Sequence, residues 1–249
     1  MHILLTNDDG LTAPGLLALK HALTPLARVT VIAPSRNYSA AGHRKTLHKP
    51  LRIDPAPLAD GSEAWMCSGA PSDCVALALL GFVKDKIDLV VSGINPHYNI
   101  GQDLTYSGTV TAAFEASIFG LPGIAVSTES DPVPNYALTA QVAAQLIQKL
   151  SERPLATNLL LNVNVPPQVI GWRITRQGAR VYKDELVTRH DPRGRAYYWI
   201  GGEMPTGRLD EGTDFWAIEH GHVSITPLHL DLTAYLTMPD LESWITPDG

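Results

Sequence analysis

The sequence of 249 residues has few of the features that mark secreted or membrane-spanning chains. Its two cysteines, Cys67 and Cys74, supply no disulfide framework at this length, so we expect two buried thiols. No run approaches the roughly 18 continuous apolar residues of a membrane span. The apolar run at the N-terminus is too short for a secretory signal, and acidic residues follow it already at Asp8. The sequence therefore predicts a cytoplasmic protein.

Basic residues are also scarce, with 19 Lys and Arg against 25 Asp and Glu and a formal net charge of −6. Because long nucleic acid needs a concentrated basic surface, it is excluded as a partner. A small phosphorylated ligand is not excluded, since a few local donors and one cation can hold it. The hydrophobic share of 45% and the charged share of 18% are those of a globular protein.

Apolar strands alternate with amphipathic helices through the first two thirds of the chain. His2–Thr6 and Arg28–Ala33 predict buried strands, and the helix between them is marked by leucines at helical spacing, namely Leu16, Leu19, Leu23 and Leu26. Such βαβ units build parallel sheets, and the alternation continues to about Pro167. We therefore predict an α/β fold with a Rossmann-like, doubly wound and mainly parallel sheet over residues 1–167.

The pattern changes after Pro167. Arg173–Thr175, Tyr197–Ile200 and Val223–Thr226 predict strands, and the turns between them are rich in glycine and charge. No helix is predicted in this part. Residues 168–249 are therefore expected to form a β-rich extension, or arms, within a single integrated domain.

Asp8 and Asp9 directly follow the first predicted strand. In open α/β sheets, ligands bind beyond the carboxyl ends of the strands. Two adjacent carboxylates repel each other, so a cation that neutralises them is favourable, and oxygen ligands suit Mg²⁺, Mn²⁺ or Ca²⁺. The alternative is a simple turn that caps the next helix. The position at a strand end favours the metal site.

Two later loops leave strands in the same direction. In the loop 35–43, Ser39 offers a hydroxyl to a metal or phosphate, although a solvated serine is the simpler interpretation. The loop 92–109 is long, and long loops inside compact domains are usually functional. It ends at Ser107, Gly108 and Thr109, where free N–H groups at a helix start favour an anion. Ser107 or Thr109 can also cap this helix, and capping is compatible with anion binding.

His43 and His97 lie in these same loops and titrate near neutrality, as acid–base groups do. Surface positions without a catalytic role are more frequent for loop histidines. We assign neither histidine to the chemistry.

Several short motifs resemble, in order, the signatures of the survival protein E (SurE) family. Each is ordinary on its own, whereas the ordered set is specific. The similarity runs from residue 1 to about 128 and more loosely through 223–228. The motifs are Thr6-Asn7-Asp8-Asp9-Gly10, Ser39-Ala40-Ala41-Gly42, Gly69-Ala70-Pro71-Ser72-Asp73-Cys74-Val75, Ser92-Gly93-Ile94-Asn95 and Tyr106-Ser107-Gly108-Thr109-Val110.

The resemblance implies a phosphatase that hydrolyses nucleoside 5'-monophosphates, with 3'-monophosphates and short polyphosphate as further substrates, and that uses one Mg²⁺ or Mn²⁺. It implies a homodimer or homotetramer built by C-terminal β arms. The family's metal ligands fall on Asp8, Asp9, Ser39 and Asn95, with the two acids also catalytic. Its phosphate-binding residues fall on Asn99, Ser107, Gly108 and Thr109.

One segment, Pro96-His97-Tyr98, departs from the small or basic residues of the family pattern. This departure leaves the base preference open without affecting the expected metal ligands.

The expected mechanism is hydrolysis by a metal-activated water, with the helix start holding the phosphate oxygens. Whether Asp8 or Asp9 also takes a proton stays open. A haloacid-dehalogenase-like phosphatase with an Asp nucleophile is an alternative, although its DxD spacing is absent. A non-catalytic, Mg-dependent regulatory module is a second alternative, but the later strands end in Ser92 and Ser127 rather than in a phosphoacceptor Asp and a Lys.

Overall fold

The structure is a computed structural model that describes residues 1–130, 133–202 and 206–245. In chain order, its strands are β1 (His2–Thr6), β2 (Arg28–Pro34), β3 (Ile53–Pro55), β4 (Trp65–Cys67), β5 (Leu89–Asn95), β6 (Gly123–Thr128), β7 (Leu160–Val165), β8 (Gly171–Ile174), β9 (Arg180–Val181), β10 (Asp184–His190), β11 (Ala196–Gly202), β12 (Thr206–Gly207) and β13 (His222–Pro227). Its α-helices are α1 (Pro14–Leu23), α2 (Pro71–Leu77), α3 (Gly108–Ile118), α4 (Tyr136–Leu150), α5 (Asp214–Glu219) and α6 (Met238–Ile245).

The central sheet has nine strands in the order β3-β4-β2-β1-β5-β6-β7-β13-β8. β1 pairs in parallel with both β2 and β5, and parallel pairing continues through β6 to β7. Antiparallel pairing occurs only where β3 meets β4 and where β13 meets β7 among these sheet neighbours. The predicted Rossmann-like, mainly parallel α/β sheet is confirmed.

The strand order reverses between β1 and β5, because the chain proceeds from β1 to β2 on one side and returns to β5 on the other. Crossover helices therefore leave the sheet on opposite faces at this point. A crevice opens there at the carboxyl ends of β1 and β5, and such a crevice is where ligands bind in open α/β sheets.

The core lies on both faces of this sheet. Alternate residues of β1 point to opposite faces, so Ile3 and Leu5 pack with α1 and α4, whereas Leu4 packs with Cys67 and Cys74 beside α2. All five residues of β1 are buried, as expected for a strand covered by helices on both faces. Both cysteines are free and buried, as predicted.

Most predicted elements of the first part are present, with shifted ends. Pro14 is the first residue of α1, but that helix ends at Leu23, so Leu26 lies beyond it. The helix that begins at Pro71 is regular only to Leu77. A wider turn follows over Ala78–Phe82, where Gly81 has a φ of 116°.

The part after Pro167 differs from its prediction in containing helices α5 and α6. The predicted strands are found, within or overlapping β8, β11 and β13. β8 and β13 extend the central sheet, whereas β10 and β11 form a separate hairpin. The hairpin carries exposed apolar side chains, including Leu186, Trp199 and Ile200. Among the described helices, none has the length and apolar character needed to cross a membrane.

Candidate functional site

The turn after β1 is closed by Asn7 rather than by either aspartate. The Asn7 side chain donates to the carbonyl of Gly10 at 3.0 Å and accepts from the Gly10 N–H at 3.2 Å. The carboxylates of Asp8 and Asp9 are therefore not consumed in closing the turn, and they lie at the crevice between β1 and β5.

The Asp8 carboxylate is buried against the start of α3, with 3% of the residue exposed. The Thr109 hydroxyl donates to Asp8 Oδ1 at 2.5 Å, and Gly108 lies so close that a Cβ there would be 2.7 Å from Asp8 Cβ. Burial raises the pKa of Asp8, while hydrogen bonds from the Thr109 hydroxyl and from backbone N–H groups oppose that rise. The hydrogen bonds that hold this carboxylate thus come from neutral donors.

Asp9 faces the other side of the turn. Its Oδ1 accepts from Asn37 Nδ2 at 3.1 Å. Burial, followed by repulsion from Asp8, raises the pKa of Asp9 to about 6, and the Asn37 bond only partly offsets this. The Asp8 carboxylate therefore makes ionisation of Asp9 less favourable, and a cation beside the pair would relieve this repulsion.

Asn37 joins Asp9 to the loop that carries Ser39. Its Oδ1 accepts from the Ser39 N–H at 2.6 Å, while its Nδ2 bonds Asp9. The same loop is tied to the site on both sides, since the Tyr38 N–H donates to the Asp8 carbonyl and the Gly42 N–H donates to the Tyr106 carbonyl. Asn37 was not predicted, and a single loop asparagine gives no signal in the sequence.

Asn95 ends β5, where the strand is irregular. The pairing of β5 with β6 shifts register between Ser92 and Asn95. Gly93 enables this shift, because its φ is +140° and a Cβ there would lie 2.4 Å from the Val126 carbonyl oxygen. The Asn95 amide nitrogen donates to the His97 carbonyl at 2.5 Å, which leaves the amide oxygen as the group able to bind a cation.

A cavity of about 310 Å³, which we call the acid cavity, brings most of the predicted site residues together. Its walls include Asp8, Ser39, Asn95, Asn99 and Ser107. Asp9 lies beside this cavity rather than in its wall. Thr109 is fully buried with its hydroxyl on Asp8, so this hydroxyl orients a carboxylate.

Ser107 is the N-cap of α3, as one interpretation of the sequence predicted. Its hydroxyl accepts from the Val110 N–H at 3.1 Å, and the residue also borders the acid cavity. Capping and contact with the cavity therefore coexist at this residue. The positive end of the α3 dipole points at Asp8 and at the cavity together.

Polar side chains of β6 and β7 hold Asn99 in place through hydrogen bonds. Its side chain donates to Ser127 Oγ at 2.8 Å, and its backbone carbonyl accepts from Asn162 and Asn164 at 2.7 and 2.9 Å. Asn164 also accepts from the Asn99 N–H at 2.9 Å. These supports were missed, although asparagines alternating in the apolar segment 160–165 were a visible signal.

Asp214 clamps the loop that follows Asn99. This fully buried carboxylate accepts from the N–H of Gly101 at 2.9 Å, of Gly178 at 2.8 Å and of Phe215 at 2.9 Å. Burial raises the pKa of Asp214, and these three N–H donors oppose the rise. Asp214 was not predicted, because more than 100 residues separate it from the loop that it holds.

The two loop histidines have different surroundings. The His43 ring bonds the buried Glu115 carboxylate at 2.8 Å, with Lys45 on its other oxygen at 2.9 Å. Burial disfavours the Glu115 charge, but these two partners outweigh it and lower the pKa. His97 borders the acid cavity, and its Nδ1 lies 2.9 Å from Ser130 Oγ.

The donor set suits a hard divalent cation. Carboxylates, a hydroxyl and an amide oxygen are the ligands that Mg²⁺, Mn²⁺ and Ca²⁺ prefer. No group of three or more His, Cys, Asp or Glu side chains with metal-binding geometry occurs among the described residues. The candidate site therefore depends on two acids completed by neutral oxygens, of which Ser39 and Asn95 share a cavity wall with Asp8.

The fold and this acid pair define a doubly wound α/β protein with a candidate cation site at its topological switch point. The family described as "Survival protein SurE" matches residues 3–184. The chain belongs to this family.

Relatives cover nearly the whole chain. The "5'-nucleotidase SurE" of Chloroflexus aggregans is 50% identical over 98% of this chain and 99% of its own length. That of Herpetosiphon aurantiacus is 52% identical over 94% of each chain. The crystal structure of the SurE protein from Aquifex aeolicus, which is 38% identical, superimposes with a TM-score of 0.83 and covers 98% of this chain and 99% of that one.

Proposed function

We propose that this protein is a divalent-metal-dependent phosphatase that hydrolyses nucleoside 5'-monophosphates to nucleoside and phosphate. The relatives named 5'-nucleotidase SurE support the nucleotide phosphatase activity. The metal and the monophosphate substrate are inferred from the donor set and from the cavity beside it.

Asp8, Asp9, Ser39 and Asn95 would hold one Mg²⁺ or Mn²⁺. When bound, the cation would withdraw charge from the phosphoryl group and lower the pKa of a coordinated water. The chain's own residues fix the donors in advance. Thr109 fixes the Asp8 carboxylate, Asn37 orients Asp9 and Ser39 together, and the His97 carbonyl turns the Asn95 amide.

Phosphate would lie in the acid cavity beside Ser107 and Asn99. Positioning and electrostatic stabilisation supply most of the rate in phosphoryl transfer, so rigid donors matter more than reactive ones. Ser107 and Gly108 start α3, whose dipole favours an anion there.

The observation that carries the proposal is the acid cavity at the switch point, where Asp8, Ser39 and Asn95 share one wall with Ser107 at the start of α3. A haloacid-dehalogenase-like mechanism is less favoured, because Asp8 is buried under Thr109 and Gly108.

The substitution Asp9→Asn tests the proposal. We expect kcat with adenosine 5'-monophosphate and Mn²⁺ to fall at least about 100-fold, the scale of losing one key electrostatic group. Calorimetry should show weaker Mn²⁺ binding. At pH 8 and without metal, the variant should be at least as stable as the unsubstituted protein. The reason is that an acid whose folded pKa is raised destabilises the fold above that pKa.

The matched control is Asp54→Asn, which removes an exposed carboxylate on β3. It should retain activity and Mn²⁺ binding. Near-normal turnover in Asp9→Asn with saturating metal would contradict the proposal.

We also propose that the protein assembles as a homodimer or homotetramer. The hairpin of β10 and β11 and the helix α6 expose large apolar side chains, including Trp199 and Trp244. Apolar surfaces of this kind mark interaction sites. Sedimentation velocity would give the mass, and a monomer at micromolar concentration would overturn the assignment.

A further inference from the structure

The loop that carries Ser39 continues into a short segment, residues 42–46, which we call the strap. The strap is hydrogen-bonded to both α2 and α3. Its first residue is fixed on two sides, since the Gly42 N–H donates to the Tyr106 carbonyl at 2.9 Å and the Gly42 carbonyl accepts from the Thr111 hydroxyl at 3.2 Å. The strap therefore begins at a fixed place beside the first turn of α3.

A buried carboxylate holds the middle of the strap against α3. Glu115 is 1% exposed, and its two oxygens lie 2.8 Å from His43 Nε2 and 2.9 Å from Lys45 Nζ. The same two side chains contact aromatic rings of α3 and its end, with His43 edge-on to Phe114 and Lys45 over Phe119. A buried carboxylate without partners is costly, so Glu115 favours the conformation in which the strap is bound.

A second buried carboxylate holds the end of the strap against α2. Asp73 is 1% exposed and accepts from the Thr46 N–H at 2.9 Å and from the Thr46 hydroxyl at 2.7 Å. It also accepts from the Ala70 N–H at the start of α2. Between the two carboxylates, the Arg44 carbonyl accepts from the Ser72 hydroxyl. The strap is thus held along its whole length.

Fixing the strap also fixes Ser39. The Tyr38 N–H donates to the Asp8 carbonyl at 2.8 Å, and the Ala41 N–H donates to the Tyr38 carbonyl at 3.1 Å. Ser39 therefore lies in a tight turn between anchored Tyr38 and anchored Gly42. Because Ser39 is exposed, the ends of this turn determine where its hydroxyl lies. A site on a loop is precise only when supporting bonds hold the loop.

We propose that Glu115 and Asp73 are positioning residues that set the place of the Ser39 hydroxyl in the acid cavity. Neither residue belongs to the cavity wall, so each acts through the strap. The consequence for metal binding rests on the proposed function. If Ser39 completes a cation site with Asp8, loss of the strap contacts weakens that site without touching the acids.

The test combines Glu115→Ala with Ser39→Ala and measures Mn²⁺ affinity by calorimetry. Removing a group that orients a metal ligand costs about 10- to 100-fold in affinity, so we expect each single variant to bind Mn²⁺ about tenfold more weakly. The double variant should also lose about tenfold, because a group that acts through the Ser39 hydroxyl has no effect once that hydroxyl is absent. A loss of about 100-fold in the double variant, as expected for independent effects, overturns the proposal, as does unchanged binding in Glu115→Ala.

A second variant covers the case in which Glu115→Ala does not fold. Thr46→Val keeps the shape of the side chain and removes one bond to the strap's other carboxylate, so we expect Mn²⁺ binding at least about threefold weaker, the scale of one hydrogen bond. This loss should vanish in the Ser39→Ala background, and an undiminished loss there overturns the proposal. Glu115→Gln can still bond both strap side chains and should bind Mn²⁺ within about twofold of the unsubstituted protein.

The matched control is Val142→Ala, which truncates a side chain of α4 that is buried in the part of the core formed with α1. It should lower the free energy of unfolding and leave Mn²⁺ affinity unchanged. Equal weakening of Mn²⁺ binding in this control would show that general destabilisation explains the effect, and the proposal would fail.

Hydrogen exchange of the metal-free protein separates failure of this inference from failure of the proposed function. Amides of residues 38–46 should exchange at least about tenfold faster in Glu115→Ala than in Val142→Ala. If the unsubstituted protein binds no Mn²⁺, the metal proposal fails, and faster exchange in this segment still supports the positioning of Ser39. Equal exchange in the two variants overturns it.

Discussion

Replacing Gly108 with alanine tests how closely the Asp8 carboxylate is held against α3. A Cβ at residue 108 would lie 2.7 Å from Asp8 Cβ and 3.0 Å from Asp8 Oδ2. Carbon atoms in contact lie about 3.5–4.0 Å apart, so the two residues must separate by about 1 Å. A misplacement of about 1 Å near a reacting centre can cost about 100-fold in rate. We therefore expect kcat/KM for adenosine 5'-monophosphate to fall about 100-fold.

The fold itself should tolerate this change. Alanine is favoured over glycine in a helix by about 1 kcal/mol, whereas overpacking costs about 1–3 kcal/mol, so the free energy of unfolding should fall by at most about 2 kcal/mol. The assay is phosphate release with Mn²⁺, together with urea unfolding.

The matched control is Gly171→Ala in β8. The added Cβ would lie 3.2 Å from His222 Cδ2, and the variant should remain active. A folded Gly108→Ala protein with wild-type kcat/KM would refute the placement of Asp8 at the reacting centre.

Two further substitutions test the supports of the site. Asp214→Asn replaces one acceptor oxygen with an N–H₂ group facing the Gly101 or Gly178 N–H, so we expect a loss of about 2 kcal/mol in urea unfolding and about tenfold in kcat. Lost stability with unchanged kcat would make Asp214 purely structural. Glu115→Gln tests pH dependence. Because the folded pKa of Glu115 is lowered, its ionisation stabilises the fold above the unfolded pKa of about 4.5, and this stability is lost as pH falls through the folded pKa. The free energy of unfolding, measured in urea, should change less between pH 7 and pH 4 in the variant than in the unsubstituted protein. An equal change in both proteins would contradict the lowered pKa of Glu115.

The parallel part of the fold was predictable because its signals are local. A strand such as β1 has an apolar centre, Ile3 to Leu5, and ends at a polar turn, and α1 begins at a proline. The end of α1 was not predictable in the same way. Leu26 has helical spacing, but its N–H bonds the Leu23 carbonyl in a turn that follows the helix. Spacing alone does not show where a helix stops.

Helix α5 was not predicted, for a different reason. It has six residues, too few for an amphipathic period to be visible. What stabilises it is tertiary, since Asp214 at its first turn bonds N–H groups from residues 101 and 178. Isolated helices this short are unstable in water, so the contacts with distant segments decide the structure.

The same division applies to the candidate site. Asp8 was predictable from its position directly after a parallel strand, whereas Ser39 and Asn95 were predicted as ligands only through the resemblance to the SurE family. The structure brings all three to one cavity at the same edge of the sheet. Asn37 and Asp214 act by holding loops of the site. Their partners are fixed by the folded structure, and no spacing rule connects them in the sequence.

The N-terminus of α3 already binds the Asp8 carboxylate when no substrate is present. The Thr109 hydroxyl and backbone N–H both bond the Asp8 carboxylate, so part of the helix dipole is already directed at a resident anion. A phosphate that enters the acid cavity meets this carboxylate in the wall, with Asp9 beside the cavity. Two unit charges of the same sign at about 4 Å repel by about 4 kcal/mol at an effective dielectric constant of about 20. The donors that remain at Ser107 and Gly108 are neutral, and they do not offset repulsion of that size from two carboxylates. We therefore expect phosphate to bind only after the proposed cation has neutralised the acid pair.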